Sequence, residues 1–237
     1  SMSRVRELRD TLLIRGDDPY NRIFVVSAFG GITNLLLEHK KSGEQGVYAM
    51  FADGDADDHA WMAALKKVGE AMEEAHKEVL EHPADIADAN DFVAERMNGA
   101  KSFLIDLGRL CSYGHFRLSE HMHMVRELLS GLGEAHSAYC TALMLKRAGI
   151  SARFVDLSGW RDEGDCTLDE RIAQGLEDVD FATEMPIVTG YAQCKEGLMK
   201  EYDRGYSEVT FARIAALTQA KEAIIHKEFH LSSADPN

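Results

Sequence analysis

Arg22-Ile23-Phe24-Val25-Val26-Ser27-Ala28-Phe29-Gly30-Gly31-Ile32-Thr33-Asn34 is the stretch on which the fold turns. A short apolar, β-branched run ends in a Gly pair and passes into hydroxyl and amide side chains. Residues 22–28 read as a buried parallel strand, and Thr33 or Asn34 opens a helix through Lys41 that Gly43 closes. Glycine lacks a Cβ, so the backbone at Gly30-Gly31 admits a ligand closely, and helix-start amides favour an anion. A plain strand-to-helix turn has the same sequence signature. A second stretch, Asp203-Arg204-Gly205-Tyr206-Ser207-Glu208-Val209-Thr210, also runs into a helix start. There Ser207 reads as the N-cap, Arg204 as a carboxylate grip and Glu208 as a partner of the helix dipole. Two such turns suggest a site for a phosphorylated ligand, although a capped helix beside a surface Arg accounts for the second one equally.

Between and beyond these turns the chain alternates. Residues 57–81 form an amphipathic helix with Leu65, Val68, Met72, Ala75 and Val79 on one stripe, ended by Pro83. Residues 88–129 read as two helices broken near Ser112-Tyr113-Gly114. Residues 134–148 read as a covered helix capped by Gly149, with Glu134 at its start. A lone Glu before an apolar run is costly unless paired, and a substrate ammonium would pair it; the helix dipole offers a plainer reason. Strands are expected at 153–157, 186–189 and 223–225, with a hairpin from Cys194 to Lys200 and a helix from Ser207 to Leu217. Strands alternating with helices predict an α/β fold, a three-layer α/β/α sandwich with a mostly parallel central sheet.

Composition limits the function. The 237 residues carry 40 acidic against 26 basic side chains, a net charge of −14, which argues against a nucleic-acid partner. No apolar run of membrane-spanning length appears, so no membrane partner is expected. Cys111, Cys140, Cys166 and Cys194 show no CxxC pairing and read as reduced thiols of a cytoplasmic protein. Three apparent motifs are set aside. Asp53-Gly54-Asp55-Ala56-Asp57-Asp58 begins like a calcium loop, but Asp58 stands where Gly is required and Ala64 where Glu is required. His121 and His123 diverge on a helix, and Lys40-Lys41 suits a helix C-terminus. No resident metal site is expected.

Five segments in order carry a resemblance: Val26 to Asn34; Gly133, Glu134 and Ser137; Ile187-Val188-Thr189-Gly190-Tyr191; Arg204 to Ala215; and Ser233-Ala234-Asp235-Pro236. Together they resemble the aspartate kinases of the amino-acid kinase superfamily. The variants at 29–41 and 204–208 look like the ectoine-pathway branch, which the acidic balance also suits. The resemblance implies a carbamate-kinase-like fold over residues 1–237 and transfer of the γ-phosphoryl group of MgATP to the β-carboxylate of L-aspartate. Its cofactors would be ATP and Mg²⁺, and a homodimer is compatible with it. A carboxylate is already ionised at neutral pH, so no general base is needed; alignment and charge neutralisation suffice.

By resemblance, Arg204 and Ser27 are the catalytic candidates. Thr33, Glu134, Tyr191, Arg204, Ser207 and Glu208 would hold the substrate, with Glu134 on the α-ammonium. Ser27, Gly30, Gly31, Lys227 and Asp235 would hold the nucleotide. The sequence departs from the family pattern in three places. The opening Lys-Phe-Gly-Gly-Thr-Ser segment is absent, and Ile225-His226-Lys227-Glu228-Phe229-His230 replaces Trp-Thr-Asp-Val-Asp-Gly. The chain ends at Asn237, without a regulatory domain. The expectation is a partial catalytic domain that folds but turns over poorly alone, with one sheet edge exposed. A different amino-acid acceptor and a non-catalytic homologue remain the rival readings.

Overall fold

The computed structural model describes residues 9–14, 18–53, 59–162, 164–202 and 205–225. Three strands, β1 (Phe24–Val26), β2 (Ala152–Val155) and β3 (Met185–Thr189), form one sheet in the order β1-β3-β2. Both pairings are parallel, with Phe24 opposite Ile187 and Val155 opposite Val188. The central strand β3 is buried at every position, as expected of an apolar parallel strand covered on both faces. Among the described residues β1 is an edge strand.

The connection from β1 to β2 runs through five helices: α1 (Ile32–Leu36), α2 (Val47–Ala52), α3 (His59–Val79), α4 (Pro83–Cys111) and α5 (Leu118–Arg147). The return to β3 uses α6 (Leu168–Leu176), and α7 (Leu198–Tyr202) and α8 (Tyr206–Leu217) follow. Successive strand residues face opposite ways. Phe154 meets Tyr139 of α5 and Phe92 of α4 edge-on, at 5.4 and 5.8 Å between ring centroids. Its neighbour Val155 faces α6, where a Cβ on Gly175 would lie 3.2 Å from Val155 Cγ1. α8 packs on α6 and on β1. Helices therefore cover both faces of the sheet, the expected three layers.

Several local expectations are corrected. α1 stops at Leu36 and does not continue to Lys41. Leu36 and Leu37 are both buried, Glu38 is held by both terminal nitrogens of Arg126 at 2.8 and 2.9 Å, and Glu38 bridges to Gln45. Gly43, at φ +70°, closes that turn and caps no helix. Pro83 does not end α3; it is the first residue of α4, a position where its missing N–H costs nothing, with His82 as N-cap. Residues 134–148 are not a separate helix, because α5 is continuous from Leu118 and Glu134 lies in its middle. The 194–200 segment is a turn leading into α7, with no hairpin. Residues 223–225 form no strand; among the described residues no strand pairs with them, and Ile224 and Ile225 stay half-exposed. Of the calcium-like run, residues 54–58 lie outside the described residues.

Candidate functional site

The mid-helix glycines explain how α5 reaches the sheet. A Cβ on Gly133 would lie 2.9 Å from Ala28 Cβ and 3.1 Å from Ile32 Cγ2. One on Gly131 would lie 3.0 Å from both Ser158 Cβ and Tyr191 Cδ1. Helix propensity is sacrificed at these two positions to bring α5 against the C-terminal ends of the strands. There the Gly190 amide donates to the Val26 carbonyl at 3.0 Å, joining the ends of β1 and β3. Ser137 Oγ donates to the Ser27 carbonyl at 2.7 Å and lies 3.0 Å from the carbonyl of Glu134.

Glu134 is the centre of this junction. Its side chain is buried, and Ser207 Oγ donates to its Oε1 at 2.6 Å. Among the described residues Oε2 has no hydrogen-bond partner. A Cβ at Gly190 would come within 2.9 Å of Oε2 and 2.7 Å of Ser207 Cβ, so only glycine leaves that oxygen its space. Burial pushes Glu134 up to about 8; the Ser207 hydroxyl and the Tyr191 amide pull it down, and the charge of Glu208 adds to the rise. A buried carboxyl with one satisfied oxygen and one bare oxygen suits an incoming cation, which would ionise it.

The structure thus brings together Ser27, Glu134, Ser207 and Glu208. Ser207 is not the N-cap that its position suggested. Gly205 takes that place, and Ser207 sits in the first turn of α8 with its hydroxyl committed to Glu134. Gly31, at φ +88°, precedes α1, and a Cβ on Gly30 or Gly31 would meet nothing within 4 Å, so that backbone is open to approach. Thr33 is half-buried in α1. Tyr191 contributes its amide near Glu134, whereas its ring is buried against Gly131 and its hydroxyl donates to Glu127 Oε2 at 2.5 Å. Arg204, Lys227 and Asp235 lie outside the described residues.

A cavity of about 820 Å³ opens beyond Tyr191, between α4, α5 and the loops after β2 and β3. Phe103, Glu127, Trp160, Lys195 and Lys200 are among its walls, and Ser27, Glu134 and Ser207 are not. Arg96 braces one side. Its guanidinium lies 4.7 Å from the ring centroids of both Phe92 and Trp160 and pairs with Asp156 at 2.5 Å.

Two features went unread in the sequence. Glu127 stands seven residues before Glu134, about two helical turns, hence on the same face. That spacing was the available signal. The second is a buried chain in which His76 Nδ1 lies 3.1 Å from His136 Nε2 and His76 Nε2 lies 2.9 Å from Asn90 Oδ1. His76 and His136 come from helices far apart in sequence, so no local pattern announces them.

A parallel sheet layered by helices, with its polar crevice at the strand C-termini, makes this an α/β protein of the open-sheet class. The family follows from the sequence: residues 4–237 match the profile described as "Amino acid kinase family", and the chain belongs to that family. It is 51% identical over 240 residues to the protein named Aspartate kinase Ask_Ect of Stutzerimonas stutzeri (strain A1501), covering 100% of this chain and 50% of that relative. It is 33% identical over 129 residues to an Aspartokinase of Schizosaccharomyces pombe (strain 972 / ATCC 24843), covering 50% of this chain and 25% of that protein. The chain thus spans half the length of the first relative. No described helix is long and apolar enough to cross a membrane.

Proposed function

We propose that this chain is the catalytic domain, or part of it, of a cytoplasmic aspartate kinase, transferring the γ-phosphoryl group of MgATP to the β-carboxylate of L-aspartate to give 4-phospho-L-aspartate. The observation that carries the reading is the buried Glu134 carboxyl, with Oε1 held by Ser207 and Oε2 bare beside Gly190. An α-ammonium fits that oxygen in charge and in hydrogen-bonding capacity. Identity to Ask_Ect along the whole chain supports aspartate as the acceptor.

In this reading Glu134 anchors the α-ammonium, Ser207 orients Glu134, and Thr33 and Glu208 border the amino acid. Ser27, pinned through its carbonyl by Ser137, lies with Gly30 and Gly31 on the phosphate side, where the open backbone lets the donor approach. Mg²⁺ arrives with the nucleotide. Arg204, Lys227 and Asp235 are assigned the carboxylate and nucleotide by resemblance alone. Because the acceptor oxygen is already anionic, the protein's task is alignment and shielding of like charges.

A hydroxylamine trap tests this. The complete gene product, given MgATP and L-aspartate, is expected to yield aspartyl hydroxamate, and Glu134→Gln is expected to lose about 100-fold in kcat/KM. Hydroxamate from L-glutamate in its place would transfer the assignment to another acceptor. Failure to bind MgATP would point to a non-catalytic homologue.

A further inference from the structure

Tyr191 and Tyr206 must hold their places if their neighbours Gly190 and Ser207 are to frame Glu134, and one side chain outside that frame makes two contacts that bear on them. Glu127 Oε2 accepts from the Tyr191 hydroxyl at 2.5 Å, and Glu127 Oε1 accepts from the Met199 amide at 2.9 Å. The first contact fixes the residue after Gly190, and the second fixes the start of α7. Tyr191 then meets Tyr206 edge-on, with ring centroids 5.7 Å apart at 84°. Tyr206 is the residue before Ser207. A continuous path therefore runs from Glu127 through Tyr191 and Tyr206 to Ser207 and back to Glu134, with both ends on one face of α5.

The geometry points to Glu127 as a positioning residue that sets the affinity of the Glu134 pocket for its amino-acid acceptor. This rests on the reading of that pocket given above. The Tyr191 ring is buried, so its hydroxyl requires an acceptor, and Glu127 fills that need while tying down the backbone that follows. Without the link, Tyr191 and Tyr206 lose their common anchor and Ser207 is free to drift from Glu134 Oε1. Small displacements of a positioning group cost one to two orders of magnitude.

The test uses Tyr191→Phe, Glu127→Ala and their combination in the complete gene product. Each single variant is expected to raise KM for L-aspartate about tenfold, with a smaller change in kcat and none in KM for MgATP. The double variant is expected to be no worse than Glu127→Ala alone, because both remove one link. Glu127→Gln, which keeps an acceptor oxygen, is expected to recover most of the affinity. A purely structural role would lower the thermal midpoint and leave KM for L-aspartate unchanged, and that result overturns the proposal. If the wild-type protein phosphorylates no aspartate, the acceptor reading falls separately. Hydrogen exchange then decides on the positioning itself: faster exchange at Met199 and Gly190 in Glu127→Ala sustains it, and unchanged exchange ends it.

Discussion

At the scale of single residues, Glu134 governs the chemistry through its proton. Free, it is held up near 8 by burial, so at pH 7 most molecules carry the neutral acid. An α-ammonium beside Oε2 favours the carboxylate, so binding should expel a proton. Calorimetric titration with L-aspartate near pH 7, repeated in buffers of different ionisation heat, should report close to one proton released, and none in Glu134→Gln. Affinity should accordingly rise with pH up to about 8 and level off above it. The Ser207 hydroxyl stabilises the same carboxyl. Ser207→Ala would leave a second buried oxygen bare and lower stability by about 1–3 kcal/mol, measurable by urea unfolding.

The elements show where sequence alone suffices and where it does not. The strand read over residues 22–28 was legible, although it is shorter, Phe24–Val26, because an apolar β-branched run ending in Gly-Gly marks a buried strand and the turn after it. Whether that turn meets a ligand was not legible, since a plain strand-to-helix turn has the same signature. The stripe of α3 was equally plain, since Leu65, Val68, Met72, Ala75 and Val79 are all buried. α5 was misread because Gly131 and Gly133 look like a helix boundary. In fact they are tolerated inside the helix where strand ends press against it. Gly133→Ala is therefore expected to destabilise by about 1–3 kcal/mol despite its better helix propensity, because the new methyl meets Ala28 and Ile32. α6 was overlooked although its capping box was in plain view: Thr167 caps the Glu170 amide while Glu170 reaches back to Thr167. Thr167→Ala should cost about 1 kcal/mol by the same measurement. Of the candidate site, Glu134 was legible because a lone Glu before an apolar run needs a partner. Ser207 reads as an N-cap and Gly190 only as part of a motif, so their place beside Glu134 was not legible. Nor was the Glu127 link, because it depends on a tyrosine more than sixty residues away.

At the scale of the whole molecule, buried groups of opposite sign couple stability to pH. Glu134 keeps its proton in the folded state up to about 8, against an ordinary 4.5, so unfolding releases a proton between those values. Its contribution to stability thus declines as pH rises from 4.5 to 8. Burial depresses His136 to about 3 from an ordinary 6.5, so unfolding takes up a proton below 6.5 and stability is lost as pH falls through that window. Its partner His76 is lowered by burial in the same direction. The thermal midpoint of Glu134→Gln should lack the decline between pH 6.5 and 8, and His136→Gln should soften the fall between 6.5 and 4. The two tryptophans of the chain occupy contrasting surroundings. Trp61 is sealed in the core, edge-on to Phe51, whereas half-buried Trp160 stands at the cavity wall beneath Arg96, its indole N–H on Glu95. Light emission from the chain is therefore expected to divide into two colours: a blue component from Trp61 that iodide leaves intact, and a redder one from Trp160 that iodide quenches. Trp160 is thus an optical label on the cavity wall, readable apart from the unfolding of the core that Trp61 reports.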